Sequence, residues 1–102
     1  AGCSERVLIS SMHHHYLRQL AEQAPDISTA ALVADRHPPA LVAYLRDLGV
    51  CAYHPADAIT DASLVELLAR AGIAVNVFTV NDPVRKTALF AMGVRSVFTD
   101  CL

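Results

Sequence analysis

The chain has 102 residues, 54% hydrophobic and 18% charged, which is too short for more than one domain and far too apolar for a disordered segment. A net charge of −2, a pI near 6.2 and eight scattered Lys and Arg exclude the basic field that nucleic-acid binding requires. No apolar run approaches the roughly 18 residues of a membrane span, and no charged-then-apolar leader opens the chain, so the piece reads as soluble. So apolar a composition in so short a chain also implies missing cover, from a fragmented domain or an obligate oligomer.

The first strand is expected over Arg6–Ser11. The triplet His13-His14-His15 follows; it is internal and too short for a purification tag. Its rings point in different directions around a helix start, so it reads as a solvated helix start rather than as converging ligands, with one ring free to face a pocket mouth. A helix from about His14 to Gln23 places Leu17, Leu20, Ala21 and Ala24 at i, i+3, i+4 and i+7, and Pro25 ends it. Thr29–Val33 is the second strand. Pro38-Pro39 leads a second helix that carries Leu41, Val42, Leu45 and Leu48 inward before Gly49 stops it. Val50–Tyr53 is the third strand. The next helix is expected to be capped by Thr60 and stapled by Ile59 and Leu64, with Leu64, Leu67, Leu68 and Ala71 buried. Ala74–Val80 is the fourth strand. Asp82-Pro83 reads as an N-cap acid with proline at the first helical position, opening a helix that runs to Met92, and Ser96–Thr99 is the last strand.

Gly49, Gly72 and Gly93 each end a helical stretch and precede the β-branched Val50, Ile73 and Val94. Three such punctuations make β/α units, hence parallel strands in sequential order joined by right-handed crossovers. The strands are apolar with little alternation, as befits strands covered on both faces. The fold class is α/β, and both an open doubly wound sheet and part of a barrel fit the periodicity. The lack of a glycine-rich phosphate loop argues against a nucleotide-binding open sheet. Cys3, Cys51 and Cys101 are an odd set at wide spacings, without the pairing of a zinc site. They are expected to be reduced and mostly buried, which tilts the localisation toward the cytoplasm.

Three segments carry a resemblance. Val7-Leu8-Ile9-Ser10-Ser11-Met12 resembles the "v-SSF" strand of the glycerophosphodiester phosphodiesterase family. Ala71-Gly72-Ile73-Ala74-Val75-Asn76-Val77-Phe78-Thr79-Val80-Asn81 is similar to its "G-v-x-V-x-x-W-T-V-N" strand, and Gly93-Val94-Arg95-Ser96-Val97-Phe98-Thr99-Asp100 to its closing "G-V-D-G-I-x-T-D". Ala24-Pro25-Asp26-Ile27 followed by Leu32 resembles the family's "P-x-i … L" stretch. The resemblance implies that residues 1–102 are the C-terminal half of a TIM (β/α)8 barrel, strands four to eight, about five parallel strands with four intervening helices. It implies hydrolysis of glycerophosphodiesters to glycerol 3-phosphate and an alcohol by the whole enzyme, with a divalent metal, Ca²⁺ or Mg²⁺. The family's H-R-G histidine, its second histidine and the carboxylates of E-x-D and E-x-K belong to the first three strands. This chain is therefore expected to contain no catalytic residue, to bind no metal alone and to be inert by itself.

What this half is expected to supply is the far wall of the pocket. Active sites of such barrels lie at the C-terminal strand ends, which makes Ser11, Met12, His54, Phe78, Asn81 and Asp100 the candidates. Phe78 stands where the family has tryptophan, which removes an indole N–H donor, and Arg95-Ser96 replace its Asp-Gly. Each candidate also has a structural reading. Ser10 and Ser11 can bond to neighbouring backbone, His54 can be an ordinary strand-end residue before Pro55, Phe78 can be core, and Asp100 can hold a loop. A rival to the enzyme-fragment reading is a catalytically inactive half-barrel. Its open edge strands would make it a binding or self-assembly module, as in a homodimer.

Overall fold

Apolar runs become strands and amphipathic runs become helices, in strict alternation. In a computed structural model that describes residues 8–24 and 27–98, the order is β1 (Leu8–Ser11), α1 (His14–Gln23), β2 (Ser28–Val33), α2 (Leu41–Leu48) and β3 (Ala52–Pro55). A 3₁₀ turn (Asp57–Ile59), α3 (Ala62–Arg70), β4 (Ala74–Val77), α4 (Pro83–Met92) and β5 (Ser96–Val97) complete it. The strands form one sheet in the order β1-β2-β3-β4-β5, and every pairing is parallel. Sequential parallel strands joined by helices are what the three helix-ending glycines imply.

Alternation along the strands sorts the residues onto two faces. Ala31, Val33, Tyr53, Val75 and Val77 face the helices and join Leu17, Leu45, Leu48, Leu68 and Leu89 in a single apolar core. Each fully buried leucine there contributes roughly 1.5–3 kcal/mol of transfer free energy. The other face carries small residues in one row, Ala30, Ala52 and Ala74, and a more polar set one step nearer the C-terminal strand ends, Leu32, His54, Asn76 and Ser96.

Several boundaries differ from the expectations, each for a local reason. The third strand starts at Ala52 because Val50 still belongs to the helix stop, its N–H donating to the Leu45 carbonyl, and the Cys51 N–H is the first to reach the Thr29 carbonyl. The fourth leaves the regular ladder after Val77. The Phe78 N–H then donates to the Pro55 carbonyl, the Phe78 carbonyl accepts from Asp57 N–H, and Val80 N–H donates to the Phe98 carbonyl. Helix α2 begins at Leu41, after Ala40 in a left-handed conformation, so the proline pair precedes the helix without being its first turn. Thr60 does not cap α3. Its hydroxyl donates back to the Ala56 carbonyl at 2.9 Å, and Asp61 takes the cap position, accepting from Leu64 N–H at 2.9 Å. That moves the expected hydrophobic staple out of register by one residue. The buried stripe of α3 is Leu64, Val65 and Leu68, and Leu67 is 48% exposed rather than buried. Asp82 does cap α4, accepting from Val84 N–H at 3.0 Å with Pro83 at the first helical position.

Arg6, Val7, Thr99 and the Pro25-Asp26 pair lie outside the described residues. The expectation of reduced thiols fails at Cys51, which is disulfide-bonded; its partner lies outside the described residues. Among the described residues no helix is long and apolar enough to cross a membrane.

Candidate functional site

A parallel sheet of this kind presents one functional edge, where the strands end and the chain turns into the helices. Here that edge holds a cleft of about 290 Å³ lined by Met12, His14, Leu32, Val33, Ala34, Asp35, Arg36 and Pro38. It lies between the turn after β1 and the long loop after β2. Met12, Leu32, Val33 and Pro38 are its apolar lining, and Asp35 and Arg36 its charged groups.

Two histidine–tyrosine pairs brace this edge. His14, on the first turn of α1, donates from Nε2 to the Leu32 carbonyl at 3.1 Å and accepts at Nδ1 from the Tyr44 hydroxyl at 2.5 Å. His37, in the loop after β2, donates from Nε2 to the Ile59 carbonyl at 2.6 Å and accepts at Nδ1 from the Tyr53 hydroxyl at 2.7 Å. In each case the carbonyl acceptor fixes the proton on Nε2, because a carbonyl can only accept. Burial, helped by the nearby Tyr44, pushes the Tyr53 phenol well above its ordinary range, so it stays a neutral hydroxyl donor. The 56–60 segment is held a third way: Arg85 donates from Nε to Asp57 at 2.6 Å and from its guanidinium to the Thr60 carbonyl at 2.9 Å.

Below the edge, on the face away from the helices, a polar relay crosses three strands. The Ser96 hydroxyl donates to Asn76 Oδ1 at 2.8 Å, and the Asn76 amide donates to His54 Nε2 at 2.9 Å. His54 therefore carries its proton on Nδ1, a buried N–H with no acceptor among the described residues. Its ring lies against Phe98 with centroids 5.2 Å apart. Burial lowers its pKa to about 4, which keeps the ring neutral near pH 7.

The sequence candidates thus fall into different places. Met12 is exposed and lines the cleft. The Ser11 hydroxyl accepts from His13 N–H at 3.0 Å, the local bond open to a serine at a strand end. Phe78 is half-buried at the end of β4, bridged to Ala56, and Asn81 is exposed on the following loop. His54 is only 2% exposed and sits beneath the edge. Asp100 lies outside the described residues. Of the histidine triplet, His13 and His15 are exposed, while His14 is half-buried in the cleft wall. The sequence places the stretch after Leu32 on the rim of strand ends but does not single out its Asp35, Arg36 and His37. Their signal was a run of three charged or titratable residues between a strand end and the proline pair, the position of a functional loop in a β/α unit.

Among the described residues no three His, Cys, Asp or Glu side chains converge, and the edge carboxylate Asp57 is already engaged by Arg85. A hard divalent cation takes several oxygen ligands, so this donor set does not by itself fit one.

Comparison with known proteins agrees with this geometry. The profile of the glycerophosphoryl diester phosphodiesterase family matches residues 1–102. A glycerophosphodiester phosphodiesterase of Bacillus altitudinis is 32% identical over 99 residues, which cover 94% of this chain and 40% of that protein. A phosphodiesterase of Oleispira antarctica, solved in complex with its product sn-glycerol-3-phosphate, superposes with a TM-score of 0.85 at 28% identity, over 91% of this chain and 37% of its own. A glycerophosphodiester phosphodiesterase of Parabacteroides distasonis shares the fold at a TM-score of 0.74 and 20% identity, over 89% of this chain and 37% of its own. The chain thus spans about 40% of the length of the curated relative it matches. Its five parallel strands and four helices correspond to part of these relatives' TIM barrels. With its whole length matched by the family profile and its fold superposing on solved relatives, the chain belongs to the glycerophosphoryl diester phosphodiesterase family.

Proposed function

We propose that this chain is the substrate-side wall of a barrel that hydrolyses glycerophosphodiesters to glycerol 3-phosphate and an alcohol. The observation that carries this reading is a preformed edge at the C-terminal strand ends, braced by His14, His37 and Arg85, on a chain that matches the family along its entire length. On this reading Met12, Phe78 and Asn81 face the substrate. Ser11 shapes the turn behind Met12, and His54 supports the wall from below. The hydrolytic groups, and the ligands of the divalent metal on which the family generally depends, Ca²⁺ or Mg²⁺ here, come from the part of the barrel that this chain does not contain. The bound metal supplies charge stabilisation at the phosphate. The residues of this chain bind and orient the diester and exclude water from one side of it.

The test is release of glycerol 3-phosphate from a glycerophosphodiester by the protein carrying the complete barrel, with Phe78→Ala compared at saturating metal. Loss of the aromatic wall should raise KM on the order of ten-fold, the effect of removing a ring's worth of buried contact. A complete barrel that releases no glycerol 3-phosphate, or a Phe78→Ala form with unchanged KM, contradicts the reading.

A second reading rests on the sheet edges. β1 and β5 each have one strand neighbour among the described residues, and unpaired edges invite association with another chain. In that case the chain is a binding or self-assembly module, and light scattering on a sizing column shows a stable dimer. A monomer with a cooperative melt argues against it.

A further inference from the structure

The cleft between the turn after β1 and the loop after β2 has features that hydrolysis of a diester does not require. Asp35 and Arg36 are adjacent, both line the cleft, and among the described residues neither has an ion-pair or side-chain hydrogen-bond partner. The stretch on either side of these two charges is held at defined points. Leu32 is bonded through its carbonyl to His14, and His37 is bonded on both ring nitrogens, to Tyr53 and to Ile59. A loop fixed at both ends, with its two charges left free over an apolar floor, is organised in advance for a ligand and gives up little entropy when one binds.

We infer that this cleft reads the alcohol head group of the substrate and suits one bearing both an ammonium and a carboxylate, with Asp35 facing the ammonium and Arg36 the carboxylate. The inference rests on the phosphodiesterase reading and extends it to substrate class. Two adjacent opposite charges discriminate in a defined way. A head group that is only cationic meets Asp35 favourably but Arg36 unfavourably, and a neutral polyol leaves both charges to water. A zwitterionic amino-acid alcohol satisfies both, and like-charge contacts work against the alternatives. Arg36 adds the planar fork that matches a carboxylate with two parallel hydrogen bonds. The floor of Met12, Leu32 and Pro38 accommodates the short carbon spacer, and about 290 Å³ is at the small end of ligand pockets, right for a head group of a few heavy atoms.

The experiment compares kcat/KM for three diesters of glycerol phosphate, with serine, ethanolamine and glycerol as the alcohol, in the protein carrying the complete barrel. The serine diester should be the best of the three. Asp35→Asn should lower the ethanolamine-to-glycerol ratio about three- to five-fold, and Arg36→Gln should lower the serine-to-ethanolamine ratio by a similar factor, the size of solvent-exposed charge pairs. Because these are ratios within one variant, a general loss of folding or activity cancels. Ratios that stay put in both variants overturn the inference while leaving the phosphodiesterase reading standing. An unaltered protein that hydrolyses none of the three removes that reading, and the inference with it.

Discussion

His54 is a fully packed, neutral imidazole with one ring nitrogen bonded to Asn76 and the other, an N–H donor, unsatisfied among the described residues. Such a group makes folding sensitive to acid. Unfolded, it takes up a proton near pH 6.5; folded, burial delays that to about 4. Between these values the unfolded chain binds more protons, so stability falls as the pH drops from about 6.5 to about 4, and above that window His54 has no effect. His54→Gln keeps an oxygen to accept from Asn76 but cannot titrate. Urea midpoints measured across the window should therefore depend less steeply on pH in the variant than in the parent, and equal slopes would show that another group governs the acid response. Nothing in the sequence announced this environment. His54 before Pro55 looks like any strand end, and its burial follows from Asn76, Ser96 and Phe98, which lie 22 and more residues away and reach it only through the sheet.

Helix ends allow a controlled comparison. Gly49 and Gly72 have nearly the same left-handed backbone, φ of 75° and 76°. A Cβ on Gly49 would lie 3.1 Å from the Cβ of Ala21 on α1, whereas one on Gly72 would meet nothing within 4 Å. Gly72→Ala should thus cost about 1 kcal/mol from backbone strain alone, and Gly49→Ala clearly more, because it also pushes α2 off α1. Equal losses in denaturant melts would mean that the two helices yield without cost. The same glycines explain how much of the architecture was legible. Order, parallel pairing and helix number followed from punctuation that acts within a few residues. Cap positions did not follow so well, since Thr60 and Asp61 are equally good on paper and the choice fell to the turn at Asp57–Ile59, which draws Thr60 into a bond with Ala56. Leu67 was misplaced for a similar reason. Leu64–Leu67–Leu68 at i, i+3, i+4 and Leu64–Val65–Leu68 at i, i+1, i+4 each share a helix face, and packing against the sheet selects the second.

For the molecule as a whole, the cysteines give a direct check. With Cys51 in a disulfide, alkylation of the unreduced, denatured chain should label one of its three cysteines, and prior reduction should expose all of them. Three labelled thiols without reductant contradict the bond. The wide, odd spacing of the cysteines carries no information on which sulfurs the fold brings together. The family itself was legible because its strand-end motifs survive in order along the chain, even with Phe78 in place of tryptophan. The cleft was not, because Asp35, Arg36 and His37 match no motif and become a site only when the loop is folded against His14, Tyr53 and Ile59. A barrel wall without hydrolytic groups is inert by itself. Incubating the purified 102-residue chain with a glycerophosphodiester and Ca²⁺ or Mg²⁺ should yield no glycerol 3-phosphate above the metal-only blank; sustained turnover by this chain alone would contradict the account.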